Sequence, residues 1–324
     1  MAVGNPSRTR RPLTRLLVLL GSCLTCFLGC ELVFRLVATK LHHAVRYESD
    51  PQLGWRFVPD IRTTLVNSAG APYVFRTNQD GWAFHDLDRG IFSAQDRRRV
   101  IILGDSFAEG EGVGAEVRFD AVATRATNRA EFRAVGCGGY STEQQLILMR
   151  QVLHTLRAGD HVVLLTCSND ISDLAFSSHS GRRKPVALQE GGAVMVVPPE
   201  LGFRDWIRSR SWMASFVIGR LLPGERTRVL RAEDCGPAYV GLVRAMAMEL
   251  PPEVGLHVAF HTGNGPGFSD TRLFDELTES GIPCTNLDAI LGERTSRPGN
   301  FLPCGHWTES GNLVAANWFA ENFK

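Results

Sequence analysis

Four apolar residues in succession, Val100-Ile101-Ile102-Leu103, run straight into Gly104-Asp105-Ser106. A strand with one wet face alternates apolar and polar side chains. An unbroken apolar run between arginines and a turn therefore predicts a strand buried on both faces, as in a parallel sheet covered by helices. Folds of this kind collect their chemistry at the carboxyl ends of strands. Ser106 is the first side chain past this strand able to act as a nucleophile, which makes it the candidate active centre.

Beyond Ser106 the pattern alternates. A glycine-rich loop, Gly110 to Gly114, precedes a helix near Asp120 to Asn128; it lacks the helix start that would cradle a pyrophosphate and is expected beside the site. A second strand, Phe132 to Val135, leads to Gly138-Gly139-Tyr140-Ser141 and a helix from Thr142 to about Leu156. The third strand, His161 to Leu165, ends in Ser168-Asn169-Asp170. Further on come a helix near Tyr239 to Met248, a strand Gly255 to His261, a helix Arg272 to Glu279, a strand Pro283 to Leu287 and a terminal helix Thr308 to Asn322. His261 ends a strand and either approaches the site or, the safer reading, is an incidental edge residue. The whole predicts a three-layer α/β, flavodoxin-like domain with a parallel sheet of about five strands.

Three strand ends thus offer Ser106, Gly139 and Asn169, and Cys304-Gly305-His306-Trp307 opens the final helix. In these blocks, with Gln144 after the second and Ser310-Gly311-Asn312 after the last, residues 99–324 resemble the SGNH or GDSL hydrolase superfamily. The lead-in, with Leu53-Gly54-Trp55 and Asp80-Gly81-Trp82, is similar to membrane-anchored bacterial members. The resemblance implies that Ser106 attacks an ester carbonyl and that His306 takes and returns its proton. It also implies an oxyanion hole made by the backbone N–H groups of Ser106 and Gly139 and the amide of Asn169. It implies no cofactor.

Two positions depart from that family. Members usually carry an aspartate two or three residues before the histidine, where this chain has Cys304 and Pro303. His306 then works in a dyad oriented by a backbone carbonyl, or another acid such as Glu309 or Asp288 substitutes, or activity has been lost. Cys304 itself is expected to be buried or paired with Cys284 rather than nucleophilic. The second departure, Cys167 where many members have glycine, is expected to alter packing near Asn169 more than chemistry.

The N-terminus carries a second constraint. Arg8, Arg10, Arg11 and Arg15 precede an uncharged stretch, Leu16 to Cys30, and apolar residues continue to Ala38 around Glu31 and Arg35. With Arg35 snorkelling and pairing with Glu31 one turn back, residues 16–39 are long enough to span a bilayer. The arginines keep residues 1–15 in the cytoplasm and send the rest to the periplasm or cell exterior. An uncleaved signal anchor fits better than a cleaved signal peptide or than the lipoprotein-like box Leu20-Gly21-Ser22-Cys23, because no small-x-small site follows and apolar residues continue past Cys23.

Between anchor and domain, residues 40–98 are expected to form a small β-rich lead-in, with short strands Thr63 to Val66 and Tyr73 to Arg76. Trp55 and Trp82 either contact a sugar or, the safer reading, cover its core. An insertion over about 176–234 carries a hairpin (Pro185 to Leu188, Ala193 to Val197) and a helix (Ser211 to Leu222). Its Trp206 and Trp212 either line a groove or pack the insertion down.

A net charge of +1 gives no basic excess for nucleic acid, and Arg97-Arg98-Arg99 reads as a solvated strand edge. Outside the apolar N-terminus none of the 8 cysteines has metal-ligand spacing, so no metal is expected. The expected function is a serine esterase acting on O-acetyl or similar esters of a small molecule or polysaccharide outside the membrane. The alternatives are an O-acyltransferase with the same site, or a non-catalytic binder of a glycan or envelope partner with a decayed triad.

Overall fold

A computed structural model describes residues 10–38, 47–83, 96–190, 193–221, 226–261, 272–292 and 297–323. The expected tail end at 1–9, the last anchor position and the Gly191-Gly192 turn lie outside them. The run 100–103 sits in strand β1 (Arg98–Gly104), joined by β2 (Ala130–Gly136), β3 (His161–Cys167), β4 (Gly255–His261) and β5 (Cys284–Asn286). These form one sheet in the order β2-β1-β3-β4-β5, every neighbouring pair parallel. The chain steps outward from β1 to β2 and then returns past β1 to begin β3. That reversal opens a crevice at the carboxyl ends of β1 and β3.

Successive side chains on a strand point to opposite faces. Val100 and Ile102 accordingly pack with Phe119, Phe132 and Phe319 on one side. Ile101 and Leu103 pack with Leu146, Leu164 and Val243 on the other. The first layer is built from α3 (Phe119–Ala126) and α11 (Glu309–Asn322), the second from α4 (Thr142–Val152), α8 (Cys235–Glu249) and α9 (Arg272–Glu279). All four side chains of the run are fully buried, each contributing about 1.5–3 kcal/mol. At the strand ends glycine is obligatory: a Cβ on Gly136 would stand 2.5 Å from the Gly104 carbonyl oxygen and 2.7 Å from Ala108 Cβ. Gly136→Ala would push β1 and β2 apart where the site begins.

The lead-in is not a spacer. It forms two antiparallel hairpins, Tyr47–Asp50 with Gly54–Phe57 and Arg62–Val66 with Pro72–Arg76. Leu53, Trp55, Phe57, Phe75 and Trp82 belong to the same apolar cluster as α4 and α8, so both tryptophans are core residues. Backbone oxygens of the lead-in also satisfy buried donors of the domain: Gln144 Nε2 donates to Leu53 at 2.8 Å and the Tyr140 hydroxyl to Trp55 at 2.5 Å.

The insertion contains the expected hairpin (Val186–Glu190 with Ala193–Val197) and helix α7 (Trp212–Leu221). It also contains a helix the periodicity did not announce, α6 (Phe203–Arg210). Lys184 pins the insertion to the second block: its buried ammonium donates to Ser141 Oγ at 2.9 Å and pairs with Glu143. Burial, with Arg226 nearby, lowers that lysine to about 7.

Helix α1 (Arg10–Ala38) contains one stretch, Leu13–Val37, long and apolar enough to cross a membrane by length and composition. Arg35 Nε donates to Glu31 Oε1 at 3.1 Å, the expected pairing one turn back. All eight cysteines are free, so the expected pairing of Cys284 with Cys304 does not form. Cys284 donates to its neighbour Ile282, and Cys304 is not buried either but exposed beside His306.

Candidate active site

Strand β1 ends at Gly104, and the chain turns at once into α2 (Ser106–Glu109). Asp105 caps this single turn, its carboxylate accepting the Phe107 N–H at 3.0 Å. Gly110 closes the turn in the left-handed conformation. Ser106 therefore occupies the first helical position, where its backbone N–H has no partner within the helix.

His306 reaches the serine from the far end of the chain. A tight turn, with the Leu302 N–H donating to the His306 oxygen at 2.7 Å and the Gly305 N–H to Leu302, presents the ring, which leans on Phe107 at 4.9 Å. Its Nε2 lies 2.7 Å from Ser106 Oγ, a contact between residues 200 positions apart. On the other side Cys304 Sγ lies 3.2 Å from Nδ1. Cys304 thus stands where the resemblance leads one to expect an aspartate. Glu309, exposed at the start of α11, and Asp288, opening α10 (Asp288–Leu291), do not take it.

The lead-in supports both loops: the Cys304 N–H donates to Ser68 Oγ at 3.1 Å, and Asn67 donates to the Gly112 oxygen in the loop after α2. Below that loop Arg118 and Asp120 form a buried two-pronged pair at 2.7 Å, and Arg118 also donates to the Glu109 oxygen.

Asn169 lies in α5 (Ser168–Ser172), directly after β3, and its amide donates to Asp105 Oδ2 at 3.1 Å. Cys167 just before it is buried in the apolar cluster of β3 and Trp307, the packing role expected for it. Gly139 has φ +79, and its neighbour Gly138 donates to Glu109 Oε2 at 2.7 Å. A Cβ on Gly139 would lie 2.4 Å from the ring of His179. Ser106, Gly139, Asn169 and His306 all line one cavity of about 890 Å³.

His179, from the insertion, lines that cavity too, and nothing in its surroundings in the sequence marks it. Its Nδ1 is 2.8 Å from Asp173, which also accepts from Arg226 at 2.6 Å. His261 is not at the site surface: it is buried beneath Phe107, ring centres 4.1 Å apart, and burial with the His306 charge drives it down to about 3. Trp206 and Trp212 do not line the cavity.

Charge on the site is unevenly held. Burial favours a neutral His306, but the Cys304 hydrogen bond and the negative charges of Glu111, Cys304 and Asp105 raise it to about 9. Burial likewise opposes a Cys304 thiolate, yet hydrogen bonds from His306 and Ser68 bring it down to about 7. Each shift favours the charged form of its group, imidazolium beside thiolate. Glu109 is raised to about 8 by burial and by Glu111. Among the described residues no group of three or more His, Cys, Asp or Glu side chains is placed to hold a metal ion.

Fold and site define a three-layer α/β domain with a serine–histidine pair at its switch point. That architecture, with the four blocks in their order, is the one that the resemblance to the SGNH or GDSL hydrolases leads one to expect. No family model and no curated protein matches the chain. Solved structures do, as likenesses of fold. A lipolytic protein of the G-D-S-L family from Veillonella parvula is 14% identical, with TM-score 0.44, covering 70% of this chain and 98% of its own. An acetyl xylan esterase from the rumen bacterium Butyrivibrio proteoclasticus is 10% identical, with TM-score 0.38, covering 72% and 64%. The catalytic domain of peptidoglycan O-acetyltransferase A from Streptococcus pneumoniae is 12% identical, with TM-score 0.36, covering 69% and 92%.

Proposed function

We propose that this chain is a serine esterase or O-acyltransferase working through a Ser106 acyl-enzyme, anchored by α1, on O-acetyl or similar esters of a polysaccharide or small molecule outside the membrane. The observation that carries this reading is the 2.7 Å contact between His306 Nε2 and Ser106 Oγ at the switch point. Neutral His306 takes the hydroxyl proton as Oγ attacks the ester carbonyl. The tetrahedral oxyanion is met by the N–H groups of Ser106 and Gly139 and, once turned from Asp105, by the Asn169 amide. The imidazolium then gives its proton to the departing alcohol as the C–O bond breaks. Water or an acceptor hydroxyl repeats the cycle on the acyl-enzyme, losing its proton to His306 and freeing Ser106. Cys304 holds the ring from Nδ1 as a positioning group, accepting the N–H and stabilising the imidazolium as a carboxylate does elsewhere.

The test is hydrolysis of a short-chain activated acetate ester by the full chain in detergent, beside Ser106→Ala. Turnover lost in the variant, with one acetyl group trapped on the Ser106 peptide of the native protein, supports the reading. Equal activity of the two proteins would sink it. One observation favours a second reading, a glycan-binding member without turnover: a thiol stands where the family has its carboxylate. Silence of the native protein, with turnover created by Cys304→Asp, would select it.

A further inference from the structure

Glu31 is an odd residue for the interior of an apolar helix, and it is buried although the surrounding side chains of α1 are bare. Its carboxylate accepts from Ser211 Oγ at 2.7 Å, the Trp212 N–H at 2.9 Å and the Met213 N–H at 3.1 Å, besides Arg35. These are the amides at the start of α7, so Glu31 supplies from 180 positions away the anion that a capping residue supplies locally. Phe34 and Phe216 add a ring contact at 5.3 Å. Helix α7 is thereby fixed against α1 at a definite height. Glu31 precedes Val37, the end of the apolar stretch, by six residues, or about 9 Å along a helix. That depth falls within the roughly 5–10 Å to which helices lying in the interface bury their apolar face below the headgroups.

The surface of the α6–α7 hairpin has the chemistry for that place. Phe203 is 73% exposed, and Trp206, on the same face one turn on, and Phe216 are each 49% exposed. Arg210 lies over the Trp206 ring at 5.0 Å. Aromatic side chains beside arginines are suited to the headgroup level.

Resting on the reading of α1 as a membrane span, we propose that the α6–α7 hairpin lies in the outer surface of the same bilayer, with Phe203, Trp206 and Phe216 among the lipids. The hairpin is also tied to the site. Arg208 donates to the Gly181 oxygen, in the loop whose His179, Ser180 and Arg182 line the cavity of Ser106. The cavity rim is held at a fixed height from the leaflet, where an ester or an acceptor carried on a membrane molecule can reach it.

The experiment uses the full chain in phosphatidylcholine–phosphatidylglycerol vesicles, with quenching of tryptophan emission by lipids brominated near the headgroup or deep in the chain. Native protein is expected to be quenched more by the shallow bromines, with quenching falling about twofold in Trp206→Phe/Trp212→Phe. Phe203→Asp, at an exposed position, is expected to weaken shallow quenching while leaving ester hydrolysis in detergent unchanged. Equal quenching of native and double variant, in protein that resists carbonate extraction, overturns the hairpin proposal while the span stands. A dimer under those conditions would name a second copy as the occupant instead. Release by carbonate overturns the span, and the hairpin's seat with it.

Discussion

Two histidines line the cavity, and each is held at Nδ1 by a different kind of partner. His179 has a carboxylate, Asp173, kept ionised below the usual carboxylate range by the His179 hydrogen bond and Arg226 against the effect of burial. His306 has a thiol. By side-chain type alone His179 would be taken for the general base. Yet it is Nε2 of His306 that meets Ser106 Oγ, whereas the edge of His179 lies over Gly139. On the proposed reading the difference teaches that reach to Ser106 makes His306 the base, and that the partner behind its ring tunes when it can act.

The largest effect that could break this comparison is a swap of roles. His306→Ala is expected to lower kcat/KM for an activated acetate by about a thousandfold or more, and His179→Ala by about tenfold or less. A reversed order, measured on the purified variants, would make Asp173–His179 the working pair.

Next comes the partner. Because His306 is raised to about 9 and acts as a base only when neutral, kcat/KM is expected to climb as pH rises through about 9. Cys304→Ala removes the hydrogen bond and charge that raise it, so the climb moves toward the ordinary histidine value of 6.5. The high-pH plateau should fall by about tenfold to a hundredfold as the tautomer loses its anchor, and the two profiles then cross. Cys304→Asp is expected to keep the climb high and to restore the plateau. Parallel profiles for native and Cys304→Ala would show that the thiol does not tune the ring.

The smallest effect is expected at Asp173→Asn. It loosens His179 and its bond to Arg226 without touching Ser106, and should change kcat by about threefold or less while altering KM for bulkier esters. A large loss of kcat with unchanged KM would bring His179 into the chemistry.

What the sequence made legible is what local pattern encodes. Unbroken apolar runs mark strands buried on both faces, and the blocks after β1, β2 and β3 follow from where such strands end. Ser106, Gly139 and Asn169 converge for that reason, and His306 joins them from the turn that opens the final helix. Helix α6 escaped because Phe203-Arg204-Asp205-Trp206-Ile207-Arg208 is rich in charged side chains and carries too few apolar ones to announce a buried face. The lead-in looked separable because its ties to Tyr140 and Gln144 span 85 and 91 residues and use backbone oxygens, which no side-chain pattern records. Glu31 could be read as paired with Arg35, since that bond is one turn away, but not as the cap of a helix 180 positions on. Cys304 is the instructive case. Its position two residues before His306 is the signal, and the structure sets its sulfur 3.2 Å from Nδ1.

That substitution has a practical consequence for anyone classifying the protein by reagents. The Cys304 sulfur is exposed and ionises near neutrality, whereas Ser106 is recessed at the start of α2. Iodoacetamide or peroxide would reach the sulfur first and disturb the neighbouring imidazole, so on the proposed reading the survey would file a serine enzyme among the thiol enzymes. The mark left by the inhibitor would name the neighbour and miss the nucleophile.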